Sequence, residues 1–310
     1  MITVFGTNTL NQRAKGAAVT IGNFDGVHLG HQSLLRRVLD KAKALDLQSL
    51  VLTFDPHPSK VLAPDRSVPR LYSLSDLQSE MAKLVVDFLV IENFTHDFSG
   101  LSAQDFVEEI LVNRINAKYI CVGHDFVFGY QREGTFHFLQ KMAQLNKFQV
   151  EKHEPILLNG EIVSSTAIRK LITSGQVEKA SQFLGRYYSI FGTAVAGEGR
   201  GKRLGYPTIN LATSAEVLPA QGVYITQVEL KGELYPALTN VGTKPTFHHS
   251  YHLVVESYLL TSSLAAEVSG EVRVFFCQRL RDEIKFPSAE SLIQQIDRDV
   301  QRAKQYFKIK

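Results

Sequence analysis

Cysteine is nearly absent from this 310-residue sequence: Cys121 sits in 119-YICVG-123 and Cys277 in 274-VFFCQRL-280, each among apolar, strand-like neighbours. Such thiols suit buried free cysteines better than a disulfide or a zinc site, and they imply a reducing compartment. No apolar run approaches the ~18 residues of a membrane span. The start, MITVFGTNTLNQ, shows no charged leader ahead of an apolar core. The expectation is a cytoplasmic protein with no membrane partner. An excess of one charge is lacking as well: 34 Lys+Arg against 31 Asp+Glu gives a formal net charge of +3 without a long basic run, so nucleic acid is not an expected partner. Internal repeats and low-complexity segments are also missing.

What is present is an ordinary globular composition, 44% apolar and 21% charged. At ~100–200 residues per domain the length fits two domains. In the first part, apolar runs 17-AAVTIG-22, 49-SLVLTF-54, 87-DFLVIENF-94 and 118-KYICVG-123 alternate with segments of helical periodicity. One of these is 102-SAQDFVEEILVNRI-115, opened by a serine cap and acidic residues. Alternation of this kind predicts a Rossmann-like α/β domain with a parallel sheet covered on both faces. Beyond residue 186 strands follow one another between turns, with a hairpin signal at 230-LKGELY-235 and a closing amphipathic helix at 288-SAESLIQQIDRDVQRAKQYF-307. That half reads as a small antiparallel β-barrel with a C-terminal helix, giving domains 1–185 and 186–310.

The loop in 20-TIGNFDGVHLGHQSLLRRV-38 joins the first of those strands to an amphipathic helix. A glycine-rich strand-to-helix turn offers unpaired backbone N–H groups and the positive end of the helix dipole, the physical basis of many phosphate sites. His28 and His31, three apart, project from nearly one side of the first helical turn and can offset charge on phosphate oxygens. The fingerprints GxGxxG and GxxxxGK[ST] are missing, which excludes a standard NAD site and a standard phosphate-loop ATPase. The pattern HxGH after a strand is instead similar to that of the nucleotidyltransferases. The full string GNFDGVHLGHQ resembles the first motif of the bacterial bifunctional riboflavin kinase/FAD synthetase family. Segments 53-TFDPHP-58, 123-GHDFVFGYQREG-134 and 163-VSSTAIRKLITSG-175 follow in that family's order.

The resemblance implies direct attack of the FMN phosphate on the α-phosphorus of ATP, with Mg²⁺. His28, His31 and Arg169 would stabilise the transition state. Gly22, Asn23, Phe24, Asp25, Gly30, Asp125, Ser165 and Thr166 would hold ATP, and His57 and Pro58 would meet the flavin. Read from residues alone, Asp25 could instead fix the turn and His57 stiffen its loop. Val127 stands where the family is expected to carry an arginine.

In the second half, 195-VAGEGRGKRLGYPTINL-211 interleaves glycines with Arg200, Lys202 and Arg203, a combination that suits a phosphate tail. Pro207 commits the chain to an extended path, so Thr208 and Asn210 share a face and offer oxygens to a hard cation. The segment resembles the riboflavin kinase PTxN motif, which implies Mg²⁺ at Thr208 and Asn210 and ATP at Gly199, Gly201 and Lys202. Glu256, inside 254-VVESYLL-260, is costly in an apolar strand unless it has a purpose or points to water. The family match makes it the general base for the riboflavin 5′-hydroxyl. It also places Arg281, Glu283 and Phe286, in an LRxExxF element, at the flavin. Tyr258 occupies the position of the family's histidine. The triplet His248, His249 and His252 in 247-FHHSYH-252 reads as a solvated turn.

The expected function is therefore riboflavin to FMN in the C-terminal domain and FMN to FAD in the N-terminal one. The expected partners are ATP, riboflavin, FMN and FAD, and at most a weak homo-oligomer. An adenylyltransferase with a weak or inactive kinase domain, or a non-catalytic flavin-responsive regulator, are the alternatives. The KMSKS signature of a tRNA synthetase is absent.

Overall fold

The computed structural model describes residues 1–10, 16–197, 200–245, 251–260 and 269–309. Gly199, His248 and His249 lie outside the described residues, as do the side chains of Lys202 and His252. Short apolar runs form strands β1 (Ile2–Phe5), β2 (Ala17–Ile21), β3 (Gln48–Asp55), β4 (Phe88–Asn93), β5 (Ala117–Gly123) and β6 (Gln149–His153). These pair in parallel in the order β1-β4-β3-β2-β5-β6. β2 is buried along its whole length, as a strand covered on both faces must be. Ala17, Val19, Ile21, Leu50 and Leu52 pack on one side with Phe106 and Ile110. Ala18, Val51, Leu89 and Ile91 pack on the other with Leu34, Leu35 and Val38 of the helix Leu29–Ala44. Each of the Val, Leu, Ile and Phe side chains among these contributes about 1.5–3 kcal/mol by leaving water.

The edge strands β1 and β6 carry no continuous apolar run because each pairs on one side only and is partly exposed. Periodicity therefore missed them. From β2 the chain steps to β3 and β4 in one direction, and β5 and β6 lie on the other side of β2. The order reverses between β2 and β5, so the crevice at their carboxyl ends is the natural ligand position. The segment expected as an ordinary helix from Ser102 is helical at Ala103–Asp105 and then π-helical over Phe106–Arg114. Its buried residues Phe106, Ile110, Leu111 and Ile115 recur every four to five positions, a spacing the wider turn brings onto one face.

After a short hairpin of β7 (Leu157–Leu158) and β8 (Glu161–Ile162), the remaining strands are β9 (Tyr188–Val195), β10 (Thr208–Thr213), β11 (Gly222–Leu230), β12 (Glu233–Pro245), β13 (Tyr251–Leu259) and β14 (Gly270–Arg281). They close into a barrel in the order β10-β13-β12-β11-β14-β9, antiparallel throughout. The turn between β11 and β12 uses Lys231 at φ 50 and Gly232 at φ 83, the two positive angles a tight hairpin requires. Tyr188, Tyr224, Val274 and Phe276 fill the interior. There a hydroxyl chain from Thr226 through Thr239 to Ser257, at 2.7 and 2.8 Å, satisfies three buried polar groups.

The closing helix Ala289–Phe307 is capped by Ser288 and lays Val300, Ala303 and Phe307 on Ile225, Leu238 and Tyr258. By contacts the chain divides into two compact units, Met1–Ser165 and Thr166–Lys310. The helix Val177–Leu184 belongs to the second because it packs on β9 and β14. Among the described residues no helix is long and apolar enough to cross a membrane. Both cysteines are buried and free. Burial pushes the Cys121 thiol up to about 11 and that of Cys277 up to about 12, which removes thiolate chemistry from either near neutral pH.

Candidate functional site

Between β2 and the helix Leu29–Ala44 the backbone takes positive φ at Phe24 (48), Gly26 (83) and Val27 (39). For a β-branched valine this is a strained conformation, sustained only where the surroundings dictate it. Here they do. Phe24 and Val27 are buried, Val27 N–H donates to the Phe24 carbonyl at 3.0 Å, and Gln32 Nε2 donates to the Val27 carbonyl at 2.9 Å. The Asp25 carboxylate accepts the backbone N–H groups of Leu71 and Tyr72, while its carbonyl accepts the Ser165 hydroxyl at 2.8 Å. Asp25 thus ties the loop in place, and Ser165 is bonded to its backbone.

His28 is the N-cap of the helix, and its Nδ1 accepts the His31 N–H at 3.3 Å. The two rings stack at 3.6 Å with 18° between their planes. Gly30 makes this fold-back feasible: a Cβ there would stand 3.1 Å from the His28 ring and 3.4 Å from the Val163 carbonyl. His31 meets the Phe24 ring edge-on at 5.2 Å. Burial, reinforced by His28, holds the His31 imidazole well below the usual histidine range, so it is neutral. Its Nδ1 is buried and has no hydrogen-bond partner among the described residues.

A stability signature follows. As pH falls through ~6.5 the unfolded chain gains a proton at His31 that the folded chain refuses. The stability it confers is full above that pH and declines below it. Between pH 7.5 and 5.5 the melting temperature of the native protein should therefore fall further than that of His31→Gln; equal falls would show that His31 is not held neutral.

Beside the loop lies a cleft of about 340 Å³, open to solvent, with Phe24, Val27, Phe54 and Leu77 on its apolar side and Asn23, His57 and Arg70 supplying polar groups. The structure brings Asn23, expected at ATP, and His57, expected at the flavin, to the same cleft. Pro58 opens the short helix Pro58–Leu62, with His57 as N-cap accepting the Ser59 N–H. Arg70, which no motif flags, pairs with Asp55 at 2.7 Å and donates to the Phe54 carbonyl at 3.3 Å. Only the tertiary fold reveals it. Gly22 is open enough that a Cβ would meet only the Phe24 ring, at 3.5 Å. Asp125 follows β5 at the carboxyl end of the sheet with its side chain 84% exposed and 3.9 Å from His124, and it does not line the cleft. Val127 is exposed. Thr166 is exposed and Arg169 half-buried on the helix Ser165–Thr173, one turn apart.

In the barrel, register does what spacing could not. Asn210 on β10 pairs with Glu256 on β13, which pairs on its other side with Asn240 on β12. The next rung is Thr208, Tyr258 and Leu238. Directly paired residues share a face, so Thr208, Asn210 and Glu256 lie together on the outside. Their neighbours Ile209, Val255 and Ser257 are buried within. Glu256 therefore points outward, in agreement with its strand parity. At Gly201 a Cβ would collide with the Tyr206 backbone carbonyl, so glycine is needed there; at Gly197 it would displace the Asn210 amide.

Tyr258 packs edge-on against Tyr206 at 5.3 Å, and Tyr206 donates to Asp297 of the closing helix. That bond raises the Tyr206 phenol to about 12. The departure at Tyr258 is thus absorbed into packing against the helix. Arg281 engages the buried Asp299 at 2.8 Å and lies 5.9 Å over the Phe286 ring, while Glu283 sits over Gly242. Arg281 anchors the segment that carries Glu283 and Phe286.

Residues 10–167 match the FAD synthetase family and residues 184–307 the riboflavin kinase family. The bifunctional riboflavin kinase/FMN adenylyltransferase of Haemophilus influenzae is 38% identical, covering 97% of this chain and 98% of that one. Its Escherichia coli counterpart is 33% identical over 97% and 96%. A crystal structure described as a macrolide-efflux protein from Streptococcus pneumoniae superposes with a TM-score of 0.89 at 29% identity, over 98% of this chain and 99% of that one. The loop at His28, the SST segment and the Asn210–Glu256 row thus stand within matched families whose order along the chain is that of the relatives, and the chain belongs to the bifunctional riboflavin kinase/FMN adenylyltransferase family.

Proposed function

We propose that this chain converts riboflavin to FMN on its barrel, within a functional domain 186–310, and FMN to FAD on its parallel-sheet domain, 1–185, using ATP in both. The observation that carries the reading is the pairing of Glu256 with Asn210 on the outer face of the barrel, in a chain that also stacks His28 on His31 at the switch point of its sheet.

In the kinase step Glu256 accepts the proton of the riboflavin 5′-hydroxyl as that oxygen attacks the γ-phosphorus and ADP departs. Thr208 and Asn210 present hard oxygen donors at i and i+2 on the same face, a set that suits Mg²⁺. When bound, the ion neutralises charge on the phosphate oxygens. Gly199, Gly201 and Lys202 receive the phosphates of ATP. Glu283 and Phe286, held by the Arg281–Asp299 pair, close over the flavin.

In the adenylylation step an FMN phosphate oxygen attacks the α-phosphorus of ATP and the bond to pyrophosphate breaks. No covalent enzyme intermediate is needed, so positioning and electrostatics carry the rate. His31, neutral in its buried setting, contributes a hydrogen bond rather than a full charge. Gly22, Gly30 and Phe24 shape the turn that receives ATP, and Ser165, Thr166 and Arg169 hold the leaving pyrophosphate. The cleft receives the flavin at His57, Pro58 and Arg70, with Asn23 on its ATP side. Asp125, at the end of β5, contacts the nucleotide. A cytoplasmic location accords with two buried free thiols.

The test is turnover. Purified protein given riboflavin, ATP and Mg²⁺ should form FMN and then FAD, and given FMN should form FAD directly. FAD formation from FMN alone would leave an adenylyltransferase with a silent barrel; no turnover from either substrate would leave a flavin-binding regulator.

A further inference from the structure

The row across the barrel exterior contains one residue that the proposed chemistry has not used. Asn240 is the direct cross-strand partner of Glu256, which places their Cβ atoms about 4.5–5.5 Å apart on the same face. Asn240 is half-buried there. On its other side β11 offers only Val223 at the same rung. Two residues along β12, a Cβ at Gly242 would collide with the Glu283 carboxylate and come within 3.0 Å of Asn240 Nδ2. The Asn240 amide nitrogen therefore lies toward Gly242 and the Glu283 carboxylate on its own strand, and Glu256 is its partner across the strand. Asn210, on the far flank of Glu256, instead lies with its amide against Gly197.

We propose that Asn240 is the positioning residue of the kinase base, its carboxamide orienting the Glu256 carboxylate toward the riboflavin 5′-hydroxyl while keeping Glu283 apart from it. The side-chain chemistry fits that role. A base must remain ionised yet able to take a proton. A lysine here would pair with Glu256 and depress its basicity, and an acid would repel it. An apolar residue would leave it undirected. A neutral donor orients without either penalty. Other titratable groups on this face are Tyr258 on β13, Tyr206 packed against it, Asp297 bonded to Tyr206, and Arg281, which continues the rung beyond Val223 and is paired with Asp299.

The inference rests on the reading of Glu256 as the base, so Glu256→Gln is measured beside the Asn240 variants in the full chain. Asn240→Asp has the same shape and adds a charge. It should move the acidic limb of the kcat/KM profile for FMN formation upward by about one pH unit, because a like charge across the strand disfavours the ionised base. Asn240→Leu should lower kcat roughly tenfold to a hundredfold with the KM for riboflavin changed less than twofold, the mark of lost orientation. A folded Asn240→Asp, judged by near-ultraviolet circular dichroism, with an unmoved limb overturns the proposal. Should that variant not fold, an undiminished kcat in Asn240→Leu overturns it equally. Survival of FMN formation in Glu256→Gln would instead overturn the assignment of the base itself.

Discussion

Replacing Glu256 with Gln should lower FMN formation from riboflavin by on the order of 10²–10⁴-fold while FMN continues to be converted to FAD. Gln is nearly isosteric, and position 256 lies on the outer face of β13 between Asn210 and Asn240, where an amide can be hydrogen-bonded. The change therefore removes basicity rather than packing, and the barrel should stay folded. The loss should appear in kcat more than in the KM for riboflavin, since proton acceptance matters only as the 5′-oxygen attacks. The measurement is paired initial rates from riboflavin and from FMN with one preparation. Loss of both activities would mean that the two sites are not separately housed.

The converse loss should follow substitution of the stacked histidines. His31→Ala should reduce FAD formation from FMN by on the order of 10²–10³-fold, with FMN formation from riboflavin retained. His28→Ala should do the same and in addition weaken the helix start, because His28 is the cap. The lost bond, long at 3.3 Å, accounts for about 0.5 kcal/mol. His28→Asn separates the two effects: the shorter side chain still caps, yet it has no ring to stack on His31 at 3.6 Å. If His28→Asn restored FAD formation, His28 would be a cap and nothing more. If it restored only the melting temperature, the ring acts in the chemistry.

β2 was legible because a strand buried on both faces must be apolar throughout, and the hairpin at Lys231–Gly232 was legible because only certain residues accept two positive φ angles. β1 and β6 were not, since an edge strand half in water carries no distinctive pattern. The π-helical turn at Phe106–Arg114 escaped because a four-to-five-residue spacing passes for an ordinary amphipathic helix. Among site residues, His28, His31, Thr208 and Asn210 lie within short motifs whose geometry is local. Arg70 does not and matters through Asp55; Asn240 opens 240-NVGTKPTF-247, a stretch similar to the family's, but its place beside Glu256 comes from a partner distant in sequence.

The sequence by itself determined two domains of different architecture, the strand-to-helix loop at His28, and the shared face of Thr208 and Asn210, because each depends on periodicity or on backbone preferences of neighbouring residues. The tertiary structure alone decided the rest. It turned Asp25 into the tie that holds the loop through Leu71, Tyr72 and Ser165, desolvated the half-buried His31 ring enough to hold it neutral, and set Glu256 between two asparagines. Those outcomes depend on desolvation and strand register, which exist only once distant segments have met.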